Sequence, residues 1–197
     1  VCGSESLMEK VRHYREINGA TLDPFSAYMI IRGMKTLVLR LRQQQHSARA
    51  LAEFLCTEPL VASVNYPGLP RHPNHAVACA QMSGFGAIVS FVLVGGMDTV
   101  KVLLPRLRFA HCAGNLGAVE TIYGPARTTS HVENTLEERL ALGISEGLVR
   151  VSVGIEDTDD LLDDLQQAFA FVRHSRDEQL PASNQPSINE SCTEVAS

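Results

Sequence analysis

The run Leu148-Val149-Arg150-Val151-Ser152-Val153 constrains this chain more than any other segment. Its β-branched residues predict a strand. Side chains alternate across a strand, so Val149, Val151 and Val153 share one face, and Leu148, Arg150 and Ser152 share the other. Gly154 ends the strand. Glu156-Asp157 opens a helix over Thr158–Val172, with Leu161, Leu165, Ala168 and Phe169 pointing inward. A strand with one apolar face, followed at once by an amphipathic helix, is the unit of an α/β layer. Arg150 is the anomaly within it. A guanidinium there needs either water or a fixed anion, and its fork matches a carboxylate or phosphate. From the strand alone, a solvated sheet face remains open beside an anion site.

The same alternation of elements extends along the chain. Ser4 caps a predicted helix to about Ile17, stopped by Asn18-Gly19. Asp23-Pro24 starts a second helix, which Gly33 interrupts. Thr36–Leu55 is a long amphipathic helix, with Leu37, Leu41, Ala48, Leu51 and Leu55 mostly on one face. Further strands are predicted at Val61–Tyr66, Ala87–Val94 and Leu107–Cys112. Further helices are predicted at His75–Met82, Met97–Leu104 and Leu136–Leu142. Together they predict an α/β domain with a small sheet covered by helices mainly on one face. Strand order is left open. From Arg173 to the end, Ser, Asn, Glu, Gln and Pro dominate without periodicity, which predicts a disordered tail over 173–197.

Composition narrows the function classes. The apolar share is 45% and the charged share 20%, ordinary for a globular protein. A net charge of −5 without a basic cluster gives nucleic-acid binding no electrostatic support. No apolar run approaches membrane-span length, so no membrane partner is expected. Five cysteines, Cys2, Cys56, Cys79, Cys112 and Cys192, lack paired spacing and suit a reducing compartment such as the cytoplasm. A targeting segment would lie upstream of Val1.

Several ordered motifs point to one family. They are Gly19-Ala20-Thr21-Leu22-Asp23-Pro24, Arg32-Gly33-Met34-Lys35-Thr36-Leu37, Tyr66-Pro67-Gly68-Leu69 and Gly84-Phe85-Gly86. Gly114-Asn115-Leu116-Gly117-Ala118-Val119-Glu120-Thr121, Gly124-Pro125-Ala126, Thr129-Ser130-His131 and Arg150 through Asp157 follow in order. From about Gly3 to Phe171 the chain resembles the carboxy-terminal half of the cystathionine γ-synthase/γ-lyase family, pyridoxal-phosphate enzymes of cysteine and methionine metabolism. The resemblance implies the carboxy-terminal domain of an aspartate aminotransferase-like, fold type I enzyme. Residues 1–35 would be the end of the cofactor domain and a linking helix, and 36–172 the small domain. It implies a homotetramer, an amino-acid substrate and pyridoxal 5′-phosphate bound mainly by an amino-terminal half.

In the family, the positions of Asn115 and Arg150 hold the substrate α-carboxylate. Many members have serine at the Asn115 position; asparagine also occurs in the sulfhydrylase branch. Ser130 stands where many members have threonine, so a hydroxyl is kept near the carboxylate. In the family, the position of Gly114 borders the side-chain end of the substrate. The family's cofactor lysine follows a Ser-x-Thr pattern, and neither Lys10, Lys35 nor Lys101 carries that pattern. The chain is therefore expected to be the carboxy-terminal portion of a cystathionine γ-synthase-like enzyme, inactive alone. A γ-lyase, an O-acylhomoserine sulfhydrylase, or a truncated subunit that only pairs with full-length partners are the alternatives.

Other polar groups have plainer expected roles. Glu156-Asp157 suits a helix cap, and Glu120 a structural partner. His72 and His75 are separated by Pro73 and lack a cysteine cluster, which disfavours a metal site. His111 and Cys112 face opposite sides of one strand, and His131 belongs to a turn. Arg32 and Lys35 form a solvated basic face by spacing, or a packing surface by the resemblance.

Overall fold

The computed structural model describes residues 2–179. They divide into two compact units, one ending at Arg42 and the other starting at Gln43. The first unit is helical. Helix α1 spans Glu5–Asn18 and α2 spans Pro24–Met34, and neither buries a side chain. Asp23 caps α2, its carboxylate accepting from the N–H groups of Phe25 and Ser26, as the Asp-Pro signal predicts. Phe25, Tyr28, Ile30, Ile31 and Met34 stand exposed along α2. Arg32 and Lys35 are exposed as well. Helix α3, Leu37–Leu55, begins here and continues into the second unit.

The second unit is the α/β layer. Its strands are β1 (Val61–Asn65), β2 (Ile88–Leu93), β3 (His111–Cys112), β4 (Ile122–Pro125) and β5 (Leu148–Ser152). They form one mixed sheet in the order β1-β2-β5-β4-β3, antiparallel except for the parallel β3–β4 pair. Helices α4 (His75–Gln81), α5 (Gly96–Leu103), α6 (Leu136–Ala141) and α7 (Thr158–Gln179) complete it. The core lies on one face of the sheet. Val89, Phe91 and Leu93 of β2 join Val149, Val151 and Val153 there. Against them pack Ala48, Leu51, Ala52 and Leu55 of α3, Val100 and Leu103 of α5, and Leu161, Leu165, Ala168 and Phe169 of α7. The period-2 and period-3.6 patterns thus meet on one buried surface.

Three elements differ from expectation, each for a local reason. Leu107–Ala110 is not strand. The buried Asp164 carboxylate takes the N–H groups of Arg108 (3.0 and 2.9 Å) and Phe109 (3.1 Å), leaving only His111–Cys112 to pair. Strand β4 has no sequence signal of its own, because half of its four residues are Gly124 and Pro125. Helix α7 runs past Val172 to Gln179, into the stretch whose composition predicts disorder. Polar contacts hold that extension. Arg173 pairs with the buried Glu58 at 2.6 Å, and Arg176 donates to the Val94 carbonyl at 2.7 Å. The remainder of the expected tail, from 180 on, lies outside the described residues.

Helix α6 is fixed by a capping box, in which Thr135 and Glu138 satisfy each other's backbone N–H groups. Beside it, Glu146 receives Arg139 at 2.7 Å and Arg127. The Arg139 hydrogen bond, aided by the charge of Arg127, holds the Glu146 carboxyl below the usual carboxylate range. A lowered folded-state pKa contributes stability above the ordinary carboxylate value and loses it as pH falls through the folded value. Glu146→Gln should therefore flatten the acid limb of the stability profile in urea unfolding from pH 7 to pH 3. An unchanged acid limb would show the pair contributes nothing.

Candidate functional site

The face of the sheet opposite the core carries the unusual chemistry. On β5 it presents Leu148, Arg150 and Ser152. Across the ladder, Arg150 pairs with Ser90 on one side and Gly124 on the other, both small. Gly124 is small because a loop crosses it. A Cβ there would stand 2.9 Å from the Ala113 carbonyl and 3.3 Å from the Thr129 side chain. The crossing loop, 113–121, is tied down at several points. Ala113 N–H donates to the Tyr123 carbonyl at 3.1 Å, and Ile155 N–H donates to the Val119 carbonyl at 2.8 Å. Gln44 Nε2 donates to the Ala118 carbonyl at 2.9 Å, and Gly117 N–H donates to Ser152 Oγ at 2.8 Å.

The end of the loop is locked by Glu156. Its carboxylate accepts from Thr121 N–H (2.5 Å) and from the Thr121 hydroxyl (2.8 Å). That hydroxyl in turn accepts from Gly154 N–H at 2.9 Å. Gly154 has no room for a side chain: a Cβ would fall 2.2 Å from Glu156 and 2.4 Å from the Val119 carbonyl. Of the expected pair of helix caps, only Asp157 plays that part, accepting from Asp159 N–H at 2.9 Å. Glu156 is a loop lock instead, and it binds Thr121 while the adjacent Glu120 is exposed.

Arg150 is partly buried under this loop. Its Nη2 donates to the carbonyls of Gly114 (3.2 Å) and Asn115 (3.0 Å). Its Nε is buried and has no hydrogen-bond partner among the described residues. A buried donor on a permanent cation is costly to leave unpaired. Two carbonyls hold Nη2, and among the described residues the guanidinium has no carboxylate partner. That arrangement suits a small anion presenting paired oxygens, above all a carboxylate.

The structure joins Asn115 to Arg150, although through the Asn115 backbone carbonyl; the residue itself is exposed. Ser130 is exposed and its hydroxyl shares a 2.8 Å hydrogen bond with His131 Nδ1. Among the described residues no hydrogen bond links Ser130 to Arg150. Thr129 packs beside Gly114 and Gly124 and donates its hydroxyl to the Pro125 carbonyl at 2.8 Å. Ser152 was legible as a member of the Arg150 face, but its hold on Gly117 is a contact between distant segments that no local pattern signals. Away from this face, the His75 ring gives Nδ1 to the Pro67 carbonyl (2.7 Å) and meets Cys79 Sγ at 3.4 Å through Nε2. Among the described residues no group of three or more His, Cys, Asp or Glu side chains is placed to hold a metal ion. Nor does any helix there have the length and apolarity to cross a membrane.

Comparison with known proteins places this geometry in context. Residues 1–170 match the family model described as Cys/Met metabolism PLP-dependent enzyme. The chain is 43% identical over 172 residues to chloroplastic cystathionine gamma-synthase 1 of Arabidopsis thaliana, covering 87% of this chain and 31% of that protein. It is 41% identical over 174 residues to L-methionine gamma-lyase of Fusobacterium nucleatum subsp. polymorphum, covering 87% of this chain and 44% of that one. Among solved structures it superposes on cystathionine gamma synthase from Xanthomonas oryzae pv. oryzae in complex with cystathionine. That match has a TM-score of 0.84 and 39% identity, covering 89% of this chain and 45% of the other. The chain thus spans less than half the length of these relatives.

Proposed function

This chain belongs to the Cys/Met metabolism PLP-dependent enzyme family, and we propose that it is the carboxy-terminal portion of a transsulfuration enzyme of the cystathionine γ-synthase kind, supplying the seat for the substrate α-carboxylate. The observation that carries this reading is Arg150, held by two backbone carbonyls with its Nε buried and unpartnered among the described residues. The cofactor of the family supplies an electron sink for bond cleavage in the amino acid. This chain's part is orientation. A clamped carboxylate fixes the rotation of the substrate about its Cα bonds and so selects which bond can break. Arg150 provides the charge, the 113–121 loop aims it, and Asn115 and Ser130 border the anion. In the longer enzyme, the apolar faces of α1 and α2 would be covered by the cofactor domain and by subunits of a homotetramer.

A γ-lyase is the second reading, favoured by the 41% identity to a methionine γ-lyase. A sulfhydrylase, the third, is favoured by the asparagine at position 115. Assays of the full-length protein with cystathionine, methionine and an O-acylhomoserine separate these. Turnover of none of them would contradict all three and leave the non-catalytic subunit.

The chain alone should not hold pyridoxal phosphate covalently. Lys10 and Lys35 are exposed, Lys101 lies 3.7 Å from Asp98 on α5, and none follows a Ser-x-Thr pattern. Borohydride reduction of the chain with pyridoxal phosphate should leave no specific adduct by mass spectrometry. A stoichiometric adduct on one of these lysines would contradict this.

A further inference from the structure

We propose that Ser152 is a positioning residue for Arg150, acting through the loop that both side chains hold; the inference rests on the carboxylate reading above. Ser152 is 1% exposed and stands two residues beyond Arg150 on the same strand face. Among the described residues, segment 114–117 makes hydrogen bonds with two side chains only. Arg150 Nη2 takes the carbonyls of Gly114 and Asn115, and Ser152 Oγ takes the Gly117 N–H. The segment turns back at Gly117, whose φ is +78°, a left-handed conformation that a Cβ disfavours. Ser152 therefore pins the loop at its turn, and the two carbonyls that aim the guanidinium lie just before that pin. With the pin gone, the Gly117 N–H can turn to water, since Gly117 is exposed. The carbonyls at 114 and 115 then lose their fixed height above β5, and Arg150 loses the contacts that orient it. Gln44 still holds the Ala118 carbonyl at 2.9 Å and the Glu156–Thr121 lock fixes the far end, but both act beyond the turn, so neither holds the 114–115 carbonyls on its near side.

The test is a double-mutant cycle in the full-length protein, read as the ratio of affinities for methionine and for its decarboxylated amine. Ser152→Ala should lower the preference for the carboxylate-bearing ligand about fivefold or more, the weight of one net hydrogen bond. Cofactor content should be unchanged. Ser152→Cys, close in size but a weaker acceptor, should fall between; it carries the test alone if the alanine variant does not hold cofactor. In an Arg150→Ala background the same changes should have no further effect. If Ser152→Ala keeps the full preference while Arg150→Ala abolishes it, the positioning role is wrong and the carboxylate reading survives. An equal loss in both backgrounds also overturns it, since Ser152 would then act independently of Arg150. If Arg150→Ala keeps the preference, the carboxylate reading fails and this inference falls with it.

Discussion

Arg150→Ala in the full-length protein should weaken amino-acid binding about thirtyfold or more, with cofactor content unchanged. The guanidinium sits partly buried between β5 and a crossing loop, and its Nε has no partner among the described residues. Truncating one member of a buried, hydrogen-bonded charge pair costs roughly 2–5 kcal/mol. At about 1.4 kcal/mol per decade, the lower bound gives the thirtyfold figure. Arg150→Lys should recover only part of the loss, because an ammonium on a flexible stem cannot keep two carbonyls and an anion engaged in one plane. The solvated-face alternative predicts that neither change matters. Equilibrium titration of both variants with methionine, monitored in the cofactor absorbance, separates the two. A change of less than threefold in both variants would leave Arg150 a surface residue.

Asp164→Ala should have the largest effect on stability, about 3 kcal/mol in urea unfolding. The Asp164 carboxylate is 4% exposed and accepts from Arg108 N–H, Phe109 N–H and Gln167 Nε2. Removing it leaves two part-buried backbone donors, Arg108 N–H and Phe109 N–H, without their acceptor, at roughly 1–3 kcal/mol each where water cannot reach them. The damage should stay local to the α7–loop junction at first. Hydrogen exchange at Arg108 and Phe109 should rise well before that of the β2 and β5 amides. Asp164→Asn keeps an acceptor and the shape, so it should lose less. A loss below 1 kcal/mol for the alanine variant would show that water replaces the carboxylate and that the packing of α7 carries the junction alone.

Much of the fold was legible because its elements are periodic. The alternation in Leu148–Val153 and the apolar stripe of α7 predict the two surfaces that meet in the core, and Val149, Val151, Leu161, Leu165 and Phe169 are all buried there. What escaped the sequence depends on partners far along the chain. Nothing local says that Asp164 will capture the amides of Arg108 and Phe109 and so shorten β3. Nothing local says that Arg173 will find Glu58 and carry α7 into a polar stretch. Strand β4 is built from residues that disfavour strands, and its Gly124 is there to let a loop pass.

The site follows the same division. The placement of Arg150 opposite the core face follows from alternation alone. The carboxylate role proposed for it does not, since that rests on two backbone carbonyls brought over the strand from 35 and 36 residues away. The side-chain roles expected for Asn115 and Ser130 came from resemblance. In the structure Asn115 meets Arg150 through its backbone, and the Ser130 hydroxyl is turned to His131. Glu156 looked like a helix cap by position, but the Thr121 amide and hydroxyl compete for it and win, because they supply two donors at once.

The most direct measurement is a comparison of two ligands on unmodified full-length protein: methionine and the amine left when its carboxylate is removed. The two differ in the one group that Arg150 is proposed to hold. The proposed seat predicts that methionine binds at least thirtyfold more tightly, and that raising salt from 0.05 to 0.5 M narrows the gap only slightly, because a partly buried pair is weakly screened. Equal affinities for the two ligands would contradict it.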